Sequence, residues 1–277
     1  MKRLLRFVRL VAVVILLLAV VAFFAGPLTW FFVLSIRPAT TDFASPPNLA
    51  FVPSLWAYVY VLIHPGQNLH NLVESLIEAG GALAITGPVA ILGAYGFSRY
   101  RFRGRRVAML WLLTLLLTPP IATVLPNYIL MNSIGLINSP FGLMLMYQTF
   151  MLPLSLWLLR GFFNDVPIAL EEAAMVDGAN RLRALISIVL PLAAPGILVA
   201  LMFAFVFGWN NTLFPLAMSN GATQPLPIGT LDYFTTTGVT WNYIAACSIV
   251  TVFPCGTLFF AFRRYIVKGL TFGAVSG

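Results

Sequence analysis

The chain has 277 residues, of which 60% are hydrophobic and only 9% charged, and a mean hydropathy of +0.93, against the roughly 25% charged residues of an ordinary soluble domain. A water-soluble fold is excluded. The formal charge of +8 raises nucleic acid as a partner, and the placement of the basic residues excludes that too.

Lys2, Arg3, Arg6 and Arg9 precede an apolar run that continues through Trp30 and Phe32, longer than the roughly 7 to 15 residues of a cleaved signal core. This predicts an uncleaved first span at about 10–34. Residues 35–74 form the longest external connection, broken by Pro38, Pro46, Pro47, Pro53 and Pro65 into extended pieces, with one short helix near SLWAYVYVLI. Further spans are expected at about 75–97, 107–131, 141–160, 192–217 and 242–262, each near the roughly 20 residues that cross a bilayer as a helix. Between the last two, residues 218–241 carry Gly221, Pro225, Pro227, Gly229 and Gly238 and read as irregular loop. A β-barrel would show alternating hydrophobicity over about 10 residues, which is absent. The expected fold class is all-α integral membrane, with six transmembrane helices in a single domain covering 1–277.

The 16 Lys and Arg residues fix the expected orientation. Besides the four at the start, Arg99, Arg101, Arg103, Arg105 and Arg106 lie between apolar runs, Arg160, Arg181 and Arg183 bracket a polar loop, and Arg263, Arg264 and Lys268 follow the last span. With six spans, all of these fall on one side and only Arg37 on the other, the positive-inside pattern. Both ends, and the loops at 98–106 and 160–191, are therefore expected in the cytoplasm. Trp30, Trp56, Trp209 and Trp241 fall near outer span ends, as an aromatic belt would have them. Cys247 and Cys255 sit about 12 Å apart on one helix and read as packing residues.

Gly80, Gly81, Gly87, Pro88, Gly93 and Gly96 crowd the second span, and Pro119, Pro120 and Pro126 the third. Such residues serve a bundle around a cavity or simple close helix packing. No Asp, Glu, Lys or Arg is central in a span, Glu74 and Glu78 being at an outer end. A proton- or ion-coupled carrier needs such a group, so the energy source is expected on another subunit.

The most polar stretch is LLRGFFNDVPIALEEAAMVDGANRLRALISIVLPLAAPG, between the fourth and fifth spans. Asn164 or Asp165 can cap a short helix, Pro167 suits its first turn, and Gly178 can take the left-handed conformation that ends it. Ile168, Glu172, Met175 and Ala179 share one face, flanked by Ala169, Ala173 and Val176. A short helix with small residues and one acid on a face can lie in a groove of another protein, or simply be a solvated surface helix. Asn180 can cap a second helix that turns back into the membrane through Ile188, Leu190 and Pro191.

Glu172-Ala173-Ala174, three residues, Gly178, nine residues, Ile188, one residue, Leu190-Pro191 resembles, position for position, the EAA signature of permease subunits of ATP-binding-cassette importers. AYGFSRYRFRG from Ala94 to Gly104, IGLINSPFGL, GWNNTLFPLA and the tail RRYIVKGLTFGAVSG look like the carbohydrate-uptake, maltose-type branch. Gly96 stands where Ala is commoner, and Asn211 where an acid often follows Trp-Asn. The resemblance implies a type I importer permease fold in a bacterial cytoplasmic membrane. It implies a heterodimer with a sister permease, two copies of a cytoplasmic ATPase that bind ATP and Mg, and an extracytoplasmic solute-binding protein. It also implies that Glu172, Ala173, Ala174, Asp177, Gly178, Ile188, Leu190 and Pro191 couple to the ATPase, and that Tyr265, Ile266, Lys268, Gly269 and Leu270 of the tail touch it. This chain has no GxxxxGK[ST] phosphate loop, so it is not expected to hydrolyse ATP itself, and no cofactor, metal or catalytic residue is expected on it.

A sugar site combines aromatic faces with amide and hydroxyl partners. Asn127, Tyr128, Tyr147, Gln148, Trp209, Asn210 and Asn211 are the candidates, unless they satisfy kinked helices instead. His64 and His70 fall in the external segment and read as surface residues. An importer permease for another small solute, such as an amino acid, peptide or polyol phosphate, would share the loop signature. A membrane-embedded enzyme would need companions for Ser155 or Ser187 that the sequence does not show.

Overall fold

The computed structural model describes residues 2–38, 51–63, 68–235 and 238–272. In chain order the helices are α1 (Lys2–Ser35), α2 (Trp56–Ile63), α3 (Asn68–Arg99), α4 (Arg105–Leu117), α5 (Pro120–Ser133), α6 (Pro140–Asp165), α7 (Ile168–Val176), α8 (Arg181–Ala184), α9 (Leu190–Trp209), α10 (Leu213–Met218), α11 (Leu226–Gly229) and α12 (Trp241–Phe272). Among the described residues, five stretches are long and apolar enough to cross a membrane unaided: Arg6–Ser35, Asn68–Arg99, Pro140–Asp165, Arg181–Trp209 and Trp241–Tyr265.

The third expected span, 107–131, is not one rod. It is broken into α4 and α5, bent by 102°. Thr118 and Pro119 take extended backbone, with ψ near 127° and 126°. A residue before proline is driven out of the helical region, and here Thr118 precedes Pro119 and Pro119 precedes Pro120. Counted as one broken span, the pair is long and apolar enough to make a sixth crossing. The expected span at 192–217 also differs, because its helix starts near Arg181 and stops at Trp209. Asn210 and Asn211 end it by bonding locally: Asn210 Nδ2 donates to the Val206 carbonyl at 2.8 Å, and Asn211 Oδ1 accepts from the Phe214 amide at 3.2 Å. The loop at 218–241 contains more order than expected, with α11, a 3₁₀ turn at Thr230–Tyr233 and a two-residue antiparallel ladder of β1 (Phe234–Thr235) and β2 (Gly238–Val239).

The chain divides into two compact units, residues 1–69 with 229–252, and 70–228 with 253–277. In the first, Ala57 and Val61 of α2 pack with Tyr233, Ile244 and Cys247. Tyr60 stacks on Tyr243 with ring centroids 4.4 Å apart, and Asn68 Nδ2 donates to the Tyr233 hydroxyl at 2.5 Å. α1 exposes apolar side chains such as Phe7, Leu10, Leu17, Val21 and Phe24, a surface suited to lipid rather than water.

In the second unit α6 packs chiefly on α9 and α4. Leu156, Leu159, Phe163 and Val166 from α6 and its end meet Ala90, Ala94 and Tyr95 of α3 and Val189, Ala193 and Ala200. The contact with α9 is close enough to need glycine at one point: a Cβ at Gly196 would lie 2.1 Å from the Phe162 ring. Trp209, expected in an outer aromatic belt, is instead buried with Phe205 and Ala79.

Candidate functional site

The polar loop after α6 folds as a docking element with a tight corner. Asn164 and Asp165, expected as caps, belong to the last turn of α6, and Pro167 occupies the N-cap position of α7. α6 therefore runs five residues beyond the expected end at 160. At the other end of α7, Gly178 has φ of +92°, and the closure is a complete Schellman motif: the Gly178 amide donates to the Met175 carbonyl at 3.1 Å and the Ala179 amide to the Ala174 carbonyl at 3.0 Å. Asn180 then caps α8, its Oδ1 accepting from the Arg183 amide at 2.8 Å.

Between α8 and α9 the backbone forms a π-turn at Leu185–Val189, where the Leu190 amide donates back to the Leu185 carbonyl. Pro191 accounts for it. The ring has no N–H and would clash with the Ser187 carbonyl in a regular turn, so the chain widens by one residue just before it. Ile188, Leu190 and Pro191 of the signature thus sit in and beside a bulged turn that redirects the chain into the long apolar helix.

The two adjacent glutamates of α7 meet different surroundings. Glu172, Ala173, Val176, Asp177 and Gly178 are exposed, while Ala174 and Met175 are half-buried. Glu171 is buried at 3% exposure. Its Oε1 accepts from Arg99 Nε at 2.5 Å and its Oε2 from the Tyr95 hydroxyl at 2.8 Å. Both side chains of the ion pair are only 4% exposed. The other two nitrogens of Arg99 are also engaged: Nη2 donates to the Val166 carbonyl at 2.9 Å and Nη1 to Ser98 Oγ at 2.9 Å, and Ser98 Oγ in turn donates to Asn164 Oδ1 at 2.7 Å. One guanidinium thus ties together the end of α3, the end of α6 and the first turn of α7. Arg181 adds a cation over the Tyr100 ring, 5.2 Å from its centroid.

Tyr95, Arg99, Glu171 and Asn164 were not among the expected site residues. The available signal was the pair Glu171-Glu172: consecutive helical residues point about 100° apart, so a helix packed along one face can turn one of two adjacent carboxylates inward, where it needs a cation. Tyr95 and Arg99 are spaced i, i+4 and share a face of α3.

The sugar-path candidates are not brought together into one open site. Tyr147 is buried and donates to Glu78 Oε2 at 3.2 Å. Glu78 itself is fully buried. Gln148 is occupied by the backbone, its Nε2 donating to the Ala82 and Met144 carbonyls and its Oε1 accepting from Thr86 Oγ1 at 2.7 Å. Asn127 Nδ2 reaches Thr149 Oγ1 at 3.5 Å. Trp209 is in the core, and Tyr128 and Asn210 are exposed. Amides satisfying kinked helices describe Gln148, Asn210 and Asn211. In the tail, Tyr265 is half-buried, and the side chains at Ile266, Lys268, Gly269 and Leu270 lie outside the described residues. His64 does too, while His70 Nε2 contacts the Ala222 carbonyl at 2.8 Å.

Residues 87–272, the stretch that holds Arg99, α7 and the corner, match the family model of the binding-protein-dependent transport system inner membrane component. The chain belongs to this family. The permease is 32% identical over 267 residues to the trehalose/maltose transport system permease protein MalG of Thermococcus litoralis, covering 95% of this chain and 94% of the relative. It is also 32% identical to the diacetylchitobiose uptake system permease protein DasC of Streptomyces coelicolor, covering 91% of each. A chain from the crystal structure of a bacterial ABC transporter involved in the import of the acidic polysaccharide alginate shares the fold, with TM-score 0.77, 19% identity, and coverage of 94% of this chain and 97% of that one. The permease is a multi-pass membrane transport component and not an enzyme.

Proposed function

We propose that the permease carries a sugar, of disaccharide or oligosaccharide size or a derivative, into the bacterial cytoplasm, with both of its ends on the cytoplasmic side. Permeases named for trehalose, maltose and diacetylchitobiose transport, similar to it over nearly their whole length, support the substrate class. The basic residues clustered at one set of span ends support the orientation. Its partners are a sister permease, an ATPase pair that binds ATP and Mg, and a solute-binding protein outside. The permease itself needs no cofactor.

The observation that carries the coupling role is the two-sided build of α7. Glu171 anchors it inward through Arg99, while Glu172, Ala173 and Val176 stand exposed on the outer side. A short, rigidly held helix presenting one carboxylate and small residues suits a groove in a partner, where charge-assisted hydrogen bonds of about 1.5 to 3 kcal/mol hold Glu172. Tyr265, Ile266, Lys268, Gly269 and Leu270 are assigned to the same partner as a second contact.

The test is ATPase retention on membranes alongside uptake of radiolabelled trehalose and maltose. Glu172→Ala is expected to leave insertion normal while releasing the ATPase and lowering uptake. Gly178→Asp meets no atom within 4 Å of the new Cβ, so its effect is the roughly 1 to 2 kcal/mol of a strained left-handed residue and a redirected α8. Wild-type uptake and full ATPase retention in both variants would refute coupling through this corner. A binding protein co-purified with an amino acid or peptide would refute the sugar.

A further inference from the structure

Arg160 lies on α6, five residues before its end, and its Nε is buried without a hydrogen-bond partner among the described residues. It lines a cavity of about 640 Å³ together with Arg105, Arg106, Phe102, Val107 and Met109. The ion pairs among the described residues are Arg99 with Glu171 and, when His70 is protonated, His70 with Glu74, so none of the three cavity arginines has a carboxylate partner there. The first turn of α4 borders the same cavity and has no side-chain cap. The Arg105 amide is taken by the Phe102 carbonyl at 3.3 Å, and the rest of this first turn adds the positive end of a 13-residue helix to the three guanidinium groups. Such a concentration of unpaired positive charge around an open volume is a receptor for an anion.

What lies beside the cavity identifies the kind of anion. Val107, Leu110 and Trp111 lie on neighbouring faces of α4 and are 69%, 53% and 64% exposed. A free phosphate would use only the cavity, whereas a phospholipid would place its phosphate among the arginines and its chains along this apolar strip. We infer that the cavity between the start of α4 and the end of α6 binds the headgroup of an anionic phospholipid. The location fits, because α6 leads directly into the docking helix and both helix ends lie where the basic residues gather, and anionic lipids are held by basic pockets between membrane helices on the cytoplasmic side. The inference rests on the orientation proposed above but not on the sugar or on the ATPase contact.

The experiment is native mass spectrometry of the detergent-purified full chain given equal amounts of dioleoyl phosphatidylglycerol and dioleoyl phosphatidylcholine. Each arginine near an anionic headgroup multiplies affinity about fivefold. Phosphatidylglycerol is therefore expected to be retained over phosphatidylcholine. Arg160→Gln should lower that retention about fivefold, and Arg105→Gln with Arg106→Gln and Arg160→Gln together by on the order of a hundredfold. Arg160→Lys, which keeps the charge, should retain most of it, and Arg181→Gln with Arg183→Gln should leave it unchanged. Equal retention of the two lipids by the wild-type chain overturns the site. So does loss of phosphatidylglycerol to excess inorganic phosphate, which would mark a free-anion pocket. Displacement of the lipid by added ATPase, with the arginine variants losing ATPase instead, would make it a protein contact and equally overturn it. Because lipid retention is read without transport, failure of the coupling reading would leave this result standing.

Discussion

α3 carries a tyrosine–carboxylate contact toward each end, and the two are built differently. Near its end at Arg99, Glu171 receives both the Tyr95 hydroxyl and the Arg99 guanidinium, and the guanidinium spends its other donors on Val166 and Ser98. Nearer its start, Glu78 receives the Tyr147 hydroxyl on one oxygen, while the other, Oε1, is buried with no hydrogen-bond partner among the described residues. No cation is paired with it there. The comparison separates two uses of a buried carboxyl. A charge matched by a charge and hydrogen-bonded through every nitrogen and both carboxylate oxygens locks three segments into one arrangement, because removing either partner strands the other in a low-dielectric surrounding. A carboxyl without a cation locks far less, since replacing it strands no charge.

The largest expected effect breaks the matched end. Arg99→Leu should destabilise the chain by about 3 to 5 kcal/mol by leaving Glu171 buried and unpaired, seen as a lower midpoint for loss of monodisperse protein on heating in detergent. Arg99→Leu combined with Glu171→Leu should recover much of that loss, since an apolar pair of similar volume is often neutral. A double variant as damaged as the single one would show that the backbone contact to Val166, not the ion pair, holds the corner.

Tyr95→Phe should have an intermediate effect. It removes one hydrogen bond to a charged acceptor, worth about 1.5 to 3 kcal/mol, while Arg99 remains in place. The same measurement checks it, and a loss equal to that of Arg99→Leu would mean that the hydroxyl, rather than the guanidinium, orders the network. The smallest effect is expected at the other end: Glu78→Gln keeps an acceptor for the Tyr147 hydroxyl and removes no ion pair, so its heating midpoint should differ from wild type by less than about 1 kcal/mol in stability. A loss as large as that at Arg99 would reveal an unseen cation on Glu78 and erase the contrast between the two ends.

The residues alone determined what rests on short-range chemistry. The membrane class follows from the lack of charge along long apolar runs. The corner after α7 follows from Gly178 and Asn180, whose preferences for a left-handed turn and an N-cap act within a few residues. Pro119 and Pro120 announced a disturbance in the third span, but whether two prolines kink a helix or split it with a 102° bend depends on what each half packs against, and α5 has Met131 buried beside Leu143, Phe214 and Met218.

Only the tertiary structure decided which of two neighbouring glutamates serves the outside. The sequence offers Glu171 and Glu172 about 100° apart on one helix. The choice is made by Tyr95 and Arg99, 76 and 72 residues earlier in the chain, which α3 delivers beneath the first turn of α7. The same holds for Tyr147 and Trp209, whose composition suits a sugar face and whose burial assigns them to the core. Side-chain chemistry limits what a residue can bind, and the packing of distant helices decides whether anything but protein can reach it.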